Sequence, residues 1–137
     1  MSFTSLSSAI ETVVSTVTDL VEVNEHPASP KAGYPAASIF YSGVRAEVLD
    51  TKTNQRDYVF TVRIINQYKD NPEGSEGVMR EVAEKVLNAL DKSDNLGGVA
   101  DFLFPVPGEG GFINAEGGAF RFIEIDCVCR MCVDLDS

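Results

Sequence analysis

From Ile123 to Leu135 every second residue is apolar: Ile123, Ile125, Cys127, Cys129, Met131, Val133 and Leu135 share one parity, and Glu124, Asp126, Arg130 and Asp134 fall on the other. Only an extended strand, whose side chains point alternately to opposite faces, turns such a pattern into one buried surface and one wetted surface. The whole segment from Ala119 to Leu135 reads as one strand, long by globular standards. A strand that is apolar on one side only belongs in a sheet with one face packed and one face in water, as antiparallel sheets commonly have. The rest of the chain must therefore supply neighbouring strands and a layer that covers the apolar face.

Those partners can be read along the sequence. Phe3 to Val23 places Phe3, Leu6, Ile10, Val13, Val14, Val17, Leu20 and Val21 at gaps of three and four, which predicts a helix with one apolar stripe. Ala36 to Leu49 and Tyr58 to Tyr68 read as two strands, with Gly43 as a bulge or kink in the first. The polar run Asp50–Asp57 between them reads as the tip of a long antiparallel hairpin projecting from the body. A second helix is expected over Ser75–Asp91, its stripe formed by Met79, Val82, Ala83, Val86, Leu87 and Leu90, with Asn95–Gly98 ending it. A short strand, Val99 to Phe104, is expected to stop at Pro105. The following Pro105–Gly118, which holds five of the eleven glycines, reads as a long loop. The expected fold is thus α+β: a four-stranded, mainly antiparallel sheet with two helices packed on one face, in the order α-β-β-α-β-β. Its 137 residues suit one domain, 1–137.

Charge narrows the range of partners. Eleven Lys and Arg face 21 Asp and Glu, a net charge of −10, whereas nucleic-acid binding by phosphate neutralisation needs clustered cations. The imbalance is uneven. Glu11, Asp19, Glu22 and Glu25 stand without a cation in the first thirty residues, while residues 31–69 hold six cations against Glu47, Asp50 and Asp57. The beginning of the chain lacks a basic, then apolar, leader pattern, and no apolar run approaches the ~20 residues that cross a bilayer, so neither export nor membrane insertion is expected.

The motifs that suggest chemistry are weak. Cys127, Cys129 and Cys132 have a metal-ligand look, but on a strand the first two point one way and the third the other, so they are expected to be small buried hydrophobes. An odd cluster of three thiols also fits a reducing cytosol better than a disulfide framework. His26, the one histidine, has no companion motif for nucleophilic catalysis. Gly108–Ile113 lacks the third glycine of a dinucleotide fingerprint and the Gly-Lys-Ser/Thr of a P-loop, and Glu109 and Glu116 would repel phosphate. That segment reads either as a plain connection or as a surface that orders against a partner with Phe112 and Ile113 as anchors. No catalytic residue, cofactor or metal site is expected, and the chain is not expected to be an enzyme.

One resemblance covers nearly the whole chain in element order and size. Gly33-Tyr34-Pro35-Ala36-Ala37-Ser38-Ile39-Phe40 leading into a strand, the polar tip Asp50–Asp57 and the alternating return Tyr58–Val62 resemble the small tail-terminator or tail-completion proteins of tailed bacteriophages, the lambda-type minor tail protein family. The helix before this hairpin, the helix after Asn71-Pro72-Glu73 and the long last strand fit the same resemblance. The resemblance implies a ring, typically a hexamer, at the head-proximal end of the virion tail, made in the cytoplasm of the bacterial host. Such a ring ends tail-tube polymerisation and offers a docking surface for the head. Its implied partners are further copies of itself, the tail tube protein and a head-completion or neck protein, with DNA only as cargo passing through the lumen and no membrane. The residues expected at its interfaces are Lys52, Arg56 and Arg63 on the hairpin, facing an acidic neighbour, together with Phe112 and Ile113. The alternatives are a neighbouring head-closure or neck protein, and a small ligand-binding or regulatory α+β domain with an apolar pocket between helices and sheet.

Overall fold

The computed structural model describes residues 3–25, 33–48, 53–67, 72–93, 102–115 and 118–134. They form, in order, α1 (Phe3–Val14), β1 (Glu22–Asn24), β2 (Ala36–Val48), β3 (Thr53–Gln67), α2 (Pro72–Lys92), β4 (Phe102–Ala115) and β5 (Gly118–Asp134). The alternating segment is β5, and it lies inside the sheet, whose strand order is β1-β2-β3-β5-β4. Fifteen consecutive registered pairs, from Thr53 opposite Asp134 to Gln67 opposite Phe120, join β3 to β5. On the helix side Ile125, Cys127 and Cys129 are buried, and Ile123 and Met131 pack against the same core.

Both helices cover that side. Leu6, Ile10 and Val14 of α1 and Met79, Val82, Val86 and Leu90 of α2 bury the stripes read from the sequence. They pack against Ala37 and Ile39 of β2, Phe60, Val62 and Ile64 of β3, and β5. Pro72 opens α2, where its missing N–H costs nothing. The expected stop of that helix at Asn95–Gly98 lies outside the described residues. Burial of methylene and methyl groups here, about 25 cal/mol per Å² of apolar surface, holds α1 in place despite its Ser-, Thr- and Val-rich sequence.

Three expectations change. First, the sheet is mixed and five-stranded among the described residues, rather than four-stranded, because β1 pairs in parallel with β2, Glu22 opposite Ala36 to Asn24 opposite Ser38. The helix expected to reach Val23 ends at Val14. Beyond it, Val17 N–H donates to Val14 and Leu20 N–H to Val17, i to i+3 turns that keep Val17 and Leu20 on the buried side, and Thr16 Oγ1 donates to the Val13 carbonyl at 2.6 Å. The apolar spacing of a helix thus persists through turns that are not α-helical, and Val21, the last residue of the stripe, is 52% exposed. Second, Pro105 does not stop a strand. β4 runs on through Pro105 and Pro107 to Ala115, with a register shift between Pro107 and Gly110, and Ala115 stands opposite Gly118. As an edge strand β4 tolerates residues without an N–H on its outer side, and the bulge absorbs the glycines. The long loop is therefore mostly strand.

Third, the hairpin is longer in its strands and shorter in its tip. Thr53–Asp57 belong to β3, with β2 on one side and β5 on the other, so the projecting part is three-stranded. Residues 49–52 lie outside the described residues. Gly43 does mark an irregularity, a register shift between Tyr41 and Gly43, with φ at 157°. The Tyr34–Pro35 bond leading into β2 is cis.

The register makes a direct prediction. Cys129 is fully buried on the helix side, so Cys129→Asp should lower the unfolding free energy by roughly 3 kcal/mol or more, the cost of a carboxyl without partners in a core. Urea denaturation checks this, and an unchanged midpoint would place that parity of β5 on the wrong face.

Candidate functional site

The face of the sheet turned away from the helices is built from the other parity of each strand. Alternation puts Asp57, Val59, Thr61 and Arg63 of β3 there, and Phe122, Glu124, Asp126, Val128 and Arg130 of β5. The antiparallel register then sets unlike charges directly opposite one another at two places, Asp57 facing Arg130 and Arg63 facing Glu124, and a hydroxyl opposite a carboxylate where Thr61 faces Asp126. Arg130 donates from Nε to Asp57 Oδ1 at 3.0 Å and from Nη2 to Oδ2 at 3.2 Å, a two-pronged pair. Arg63 Nε and Nη2 both reach Glu124 Oε2, at 2.8 and 2.7 Å. Thr61 Oγ1 donates to Asp126 Oδ1 at 2.9 Å and is hydrogen-bonded in turn to the Ser42 hydroxyl.

Aromatic rings flank these guanidinium groups. The Arg63 guanidinium carbon sits 5.3 Å from the Phe40 ring centre and 5.4 Å from that of Phe122, and Arg130 lies 4.9 Å from Phe104. Each stacked cation contributes about 0.5–1 kcal/mol where it stays partly exposed. The result is a surface on which Arg63 and Arg130 are each paired with a carboxylate and stacked on a ring, so that these side chains are held by two kinds of contact at once.

Acidity collects elsewhere. Residues 3–25 and α2 together carry Glu11, Asp19, Glu22, Glu25, Glu73, Glu76, Glu81, Glu84 and Asp91 against Arg80, Lys85 and Lys92, a net −6. Strands β2 to β5 carry Arg45, Arg56, Arg63, Arg121 and Arg130 against Glu47, Asp57, Glu109, Glu124, Asp126 and Asp134, a net −1. Glu11 shows the crowding on the helix layer: its hydrogen bond to Glu25, aided by partial desolvation and by the like charge, raises its carboxyl above the ordinary range. Near the C-terminal half of α2, Lys85 Nζ spans to Asp19 at 2.8 Å across an open groove of about 630 Å³ lined by Val13, Thr16, Val17 and Asn88 among others. This groove lies between the end of α1 and α2 rather than between helices and sheet.

The residues expected at interfaces are spread over the molecule. Arg63 is tied to Glu124 on the uncovered face. Arg56 has the opposite parity on β3, is half-buried, and donates from Nη1 to the Tyr58 hydroxyl at 3.4 Å. Lys52 lies outside the described residues, as does His26. Phe112 stands opposite Arg121, and Ile113 opposite Phe120, on β4. Along β5, Met131, which faces Arg56, and Arg121 are ten residues apart, roughly 33 Å of strand. The hairpin cations and the β4 anchors therefore belong to different ends of the sheet. Phe112 is 61% exposed, the most exposed of the large apolar side chains described. Arg121 stacks on its ring at 5.2 Å and is itself held by Glu76 Oε2 at 3.1 Å and by the carbonyls of Gly111 and Phe122. The paired charges Asp57, Glu124, Asp126 and Arg130 were not singled out from the sequence. Their signal is the opposite sign on matching parities of two strands, legible only once the register is known.

Cys127 and Cys129 are buried free thiols. Burial pushes the Cys129 thiol up to about 12 and raises Cys127 still further, with the neighbouring Cys129 and Asp126 adding to the latter. Such thiols are protonated and poor nucleophiles at neutral pH. Among the described residues no group of three or more His, Cys, Asp or Glu is arranged to hold a metal ion, and no helix is long and apolar enough to cross a membrane.

Two measurements follow from this geometry. An acid whose pKa is raised by folding stabilises fully below its unfolded pKa and loses that contribution as pH rises towards its folded pKa. Stability should therefore fall between about pH 9 and 12, by up to ~1.4 kcal/mol per pH unit for each thiol. Urea titrations of the protein and of Cys127→Ala/Cys129→Ala check this, the double variant losing most of the slope. Arg130→Ala should cost about 1 kcal/mol, since the pair is 39% exposed on the arginine side and screened, with the loss shrinking in high salt.

No protein-family model and no curated protein sequence matches the chain. Among solved structures, a chain from the virion of a native gene transfer agent particle matches with a TM-score of 0.55 and 13% sequence identity, over 93% of this chain and 95% of that one. At that identity the likeness is one of fold, and it extends over essentially the full length of both chains.

Proposed function

We propose that this chain is a virion structural protein that forms a hexameric ring at the head-proximal end of a phage tail, ends tail-tube polymerisation there and presents the surface on which the head or neck docks. The observation that carries this reading is the end-to-end fold likeness to a virion chain, in a sequence whose element order and hairpin resemble phage tail terminators. The uncovered sheet face supports a role in shape and fit. Its arginines and carboxylates are committed to each other across strands, which sets a firm, nearly neutral surface rather than a group poised for proton transfer. In this reading the protein makes and breaks no bonds and needs no cofactor. The acidic helix layer, turned to a channel, would repel DNA phosphates and let DNA pass without adhering.

Purified protein, alone and mixed with its tail tube protein, should give rings in negative-stain micrographs and a hexamer mass in native mass spectrometry. Monomer in both samples would overturn the ring. The open groove between α1 and α2 favours a second reading, a small ligand-binding domain; stabilisation in a thermal-shift screen of small metabolites, lost in Asn88→Trp, would favour that reading over the first.

A further inference from the structure

Among the described side chains of this sheet, arginines are answered by carboxylates: Arg63 by Glu124, Arg130 by Asp57 and Arg121 by Glu76. Arg56 is an exception. Its partner among the described residues is the Tyr58 hydroxyl, 3.4 Å from Nη1. On the uncovered face Asp126 is the matching exception among the carboxylates, with the Thr61 hydroxyl donating to its Oδ1 at 2.9 Å. Neither Arg56 nor Asp126 meets an opposite charge among the described residues, and both are half-buried.

The register keeps them from answering each other. Arg56 has the parity of Tyr58 and stands opposite Met131, and Tyr58 and Met131 pack against the helix-side core. Asp126 has the other parity of β5, between Glu124 and Val128 on the uncovered face. The two side chains leave the sheet from opposite faces, and Met131 lies five residues beyond Asp126, roughly 17 Å along the strand. No change of rotamer within one chain brings them together.

Each also sits beside apolar groups that the fold leaves open. Around Arg56 the helix-side burial fades: Phe60 and Cys129 are buried, Tyr58 and Met131 are half-buried, and Tyr41, opposite Phe60, is 48% exposed. Beside Asp126 on the edge strand β4 stands Val106, 46% exposed, and the next row of the same face holds Val59, Val128 and Phe104 in register. A charge at the border of an apolar patch is costly to bury alone, so whatever covers that patch must bring the opposite sign.

We infer that copies of this chain pack the helix-side rim around Arg56 and Tyr41 against the uncovered sheet face of the next copy, where Arg56 meets Asp126. A second copy is the occupant because one chain carries both halves, opposite in sign, on faces that cannot close on each other. The two surfaces differ, so the contact is head-to-tail and repeats from copy to copy, as a ring requires. Points that a six-fold rotation superposes lie as far from its axis as from each other, here about 20 Å through and along the sheet, a radius compatible with an open centre. The inference rests on the ring reading and supplies its contact.

Exchanging the two charges tests it. Arg56→Glu and Asp126→Lys should each melt within a few degrees of the parent and weaken assembly at least tenfold, as read by sedimentation velocity and native mass spectrometry. The double variant Arg56→Glu/Asp126→Lys should recover the parent's ring. A ring as stable as the parent's in either single variant would overturn the contact and leave the ring reading standing, and so would a double variant that assembles no better than the singles. Absence of any ring in the unmodified protein would remove the ring reading itself, and this contact with it. Should the exchanged chains fail to fold, the neutral variants Arg56→Met and Asp126→Asn decide. An equal loss of assembly in each and in their double supports the pairing, and losses that multiply in the double overturn it.

Discussion

The structure depends on one strand being satisfied on both sides. β5 is hydrogen-bonded to β3 along one side and β4 along the other, and its two faces serve different purposes. Its apolar parity supplies the floor on which both helices pack, and its polar parity supplies the carboxylates and the arginine that close the cross-strand pairs with β3. A slip of one residue would put Cys127 and Cys129 into water and Glu124 and Asp126 into the core. The register is therefore fixed by hydrophobic burial, and the ion pairs of the uncovered face follow from it as a consequence.

That dependence separates what holds the fold from what shapes the surface. The helix-side core, from Leu6 and Met79 down to Ile125 and Cys127, carries the stability. The stacked and paired arginines, each partly exposed, add modest increments but hold a large area of side chains in one arrangement. The distribution of charge separates the two layers as well, with acid on the helix layer and near balance in strands β2 to β5.

The apolar alternation of β5, the stripe of α2 and the irregularity at Gly43 were legible in the sequence because each rests on spacing within a single segment. The helical side of the sheet and the inward direction of Cys127 and Cys129 followed from them. Less was legible at β1 and β4. Val17 and Leu20 keep a helical spacing while the backbone makes i to i+3 turns, and Pro105 interrupts a strand only if that strand is not at an edge, a property of its neighbours. For the candidate site, Phe112 was singled out from its place in a glycine-rich segment. The pairing of Arg63 with Glu124, sixty-one residues away, was not.

Alone, the order of residues determined that the chain alternates apolar and polar along its last strand, that two segments carry helical stripes, and that negative charge outweighs positive, because these are properties of neighbours along the chain. Only the tertiary structure decided which strands lie at the edges, which cations are already answered by carboxylates, and that Arg56 and Asp126 stand on opposite faces. Those depend on strand order and register, which are set by the way distant segments bury their apolar sides together.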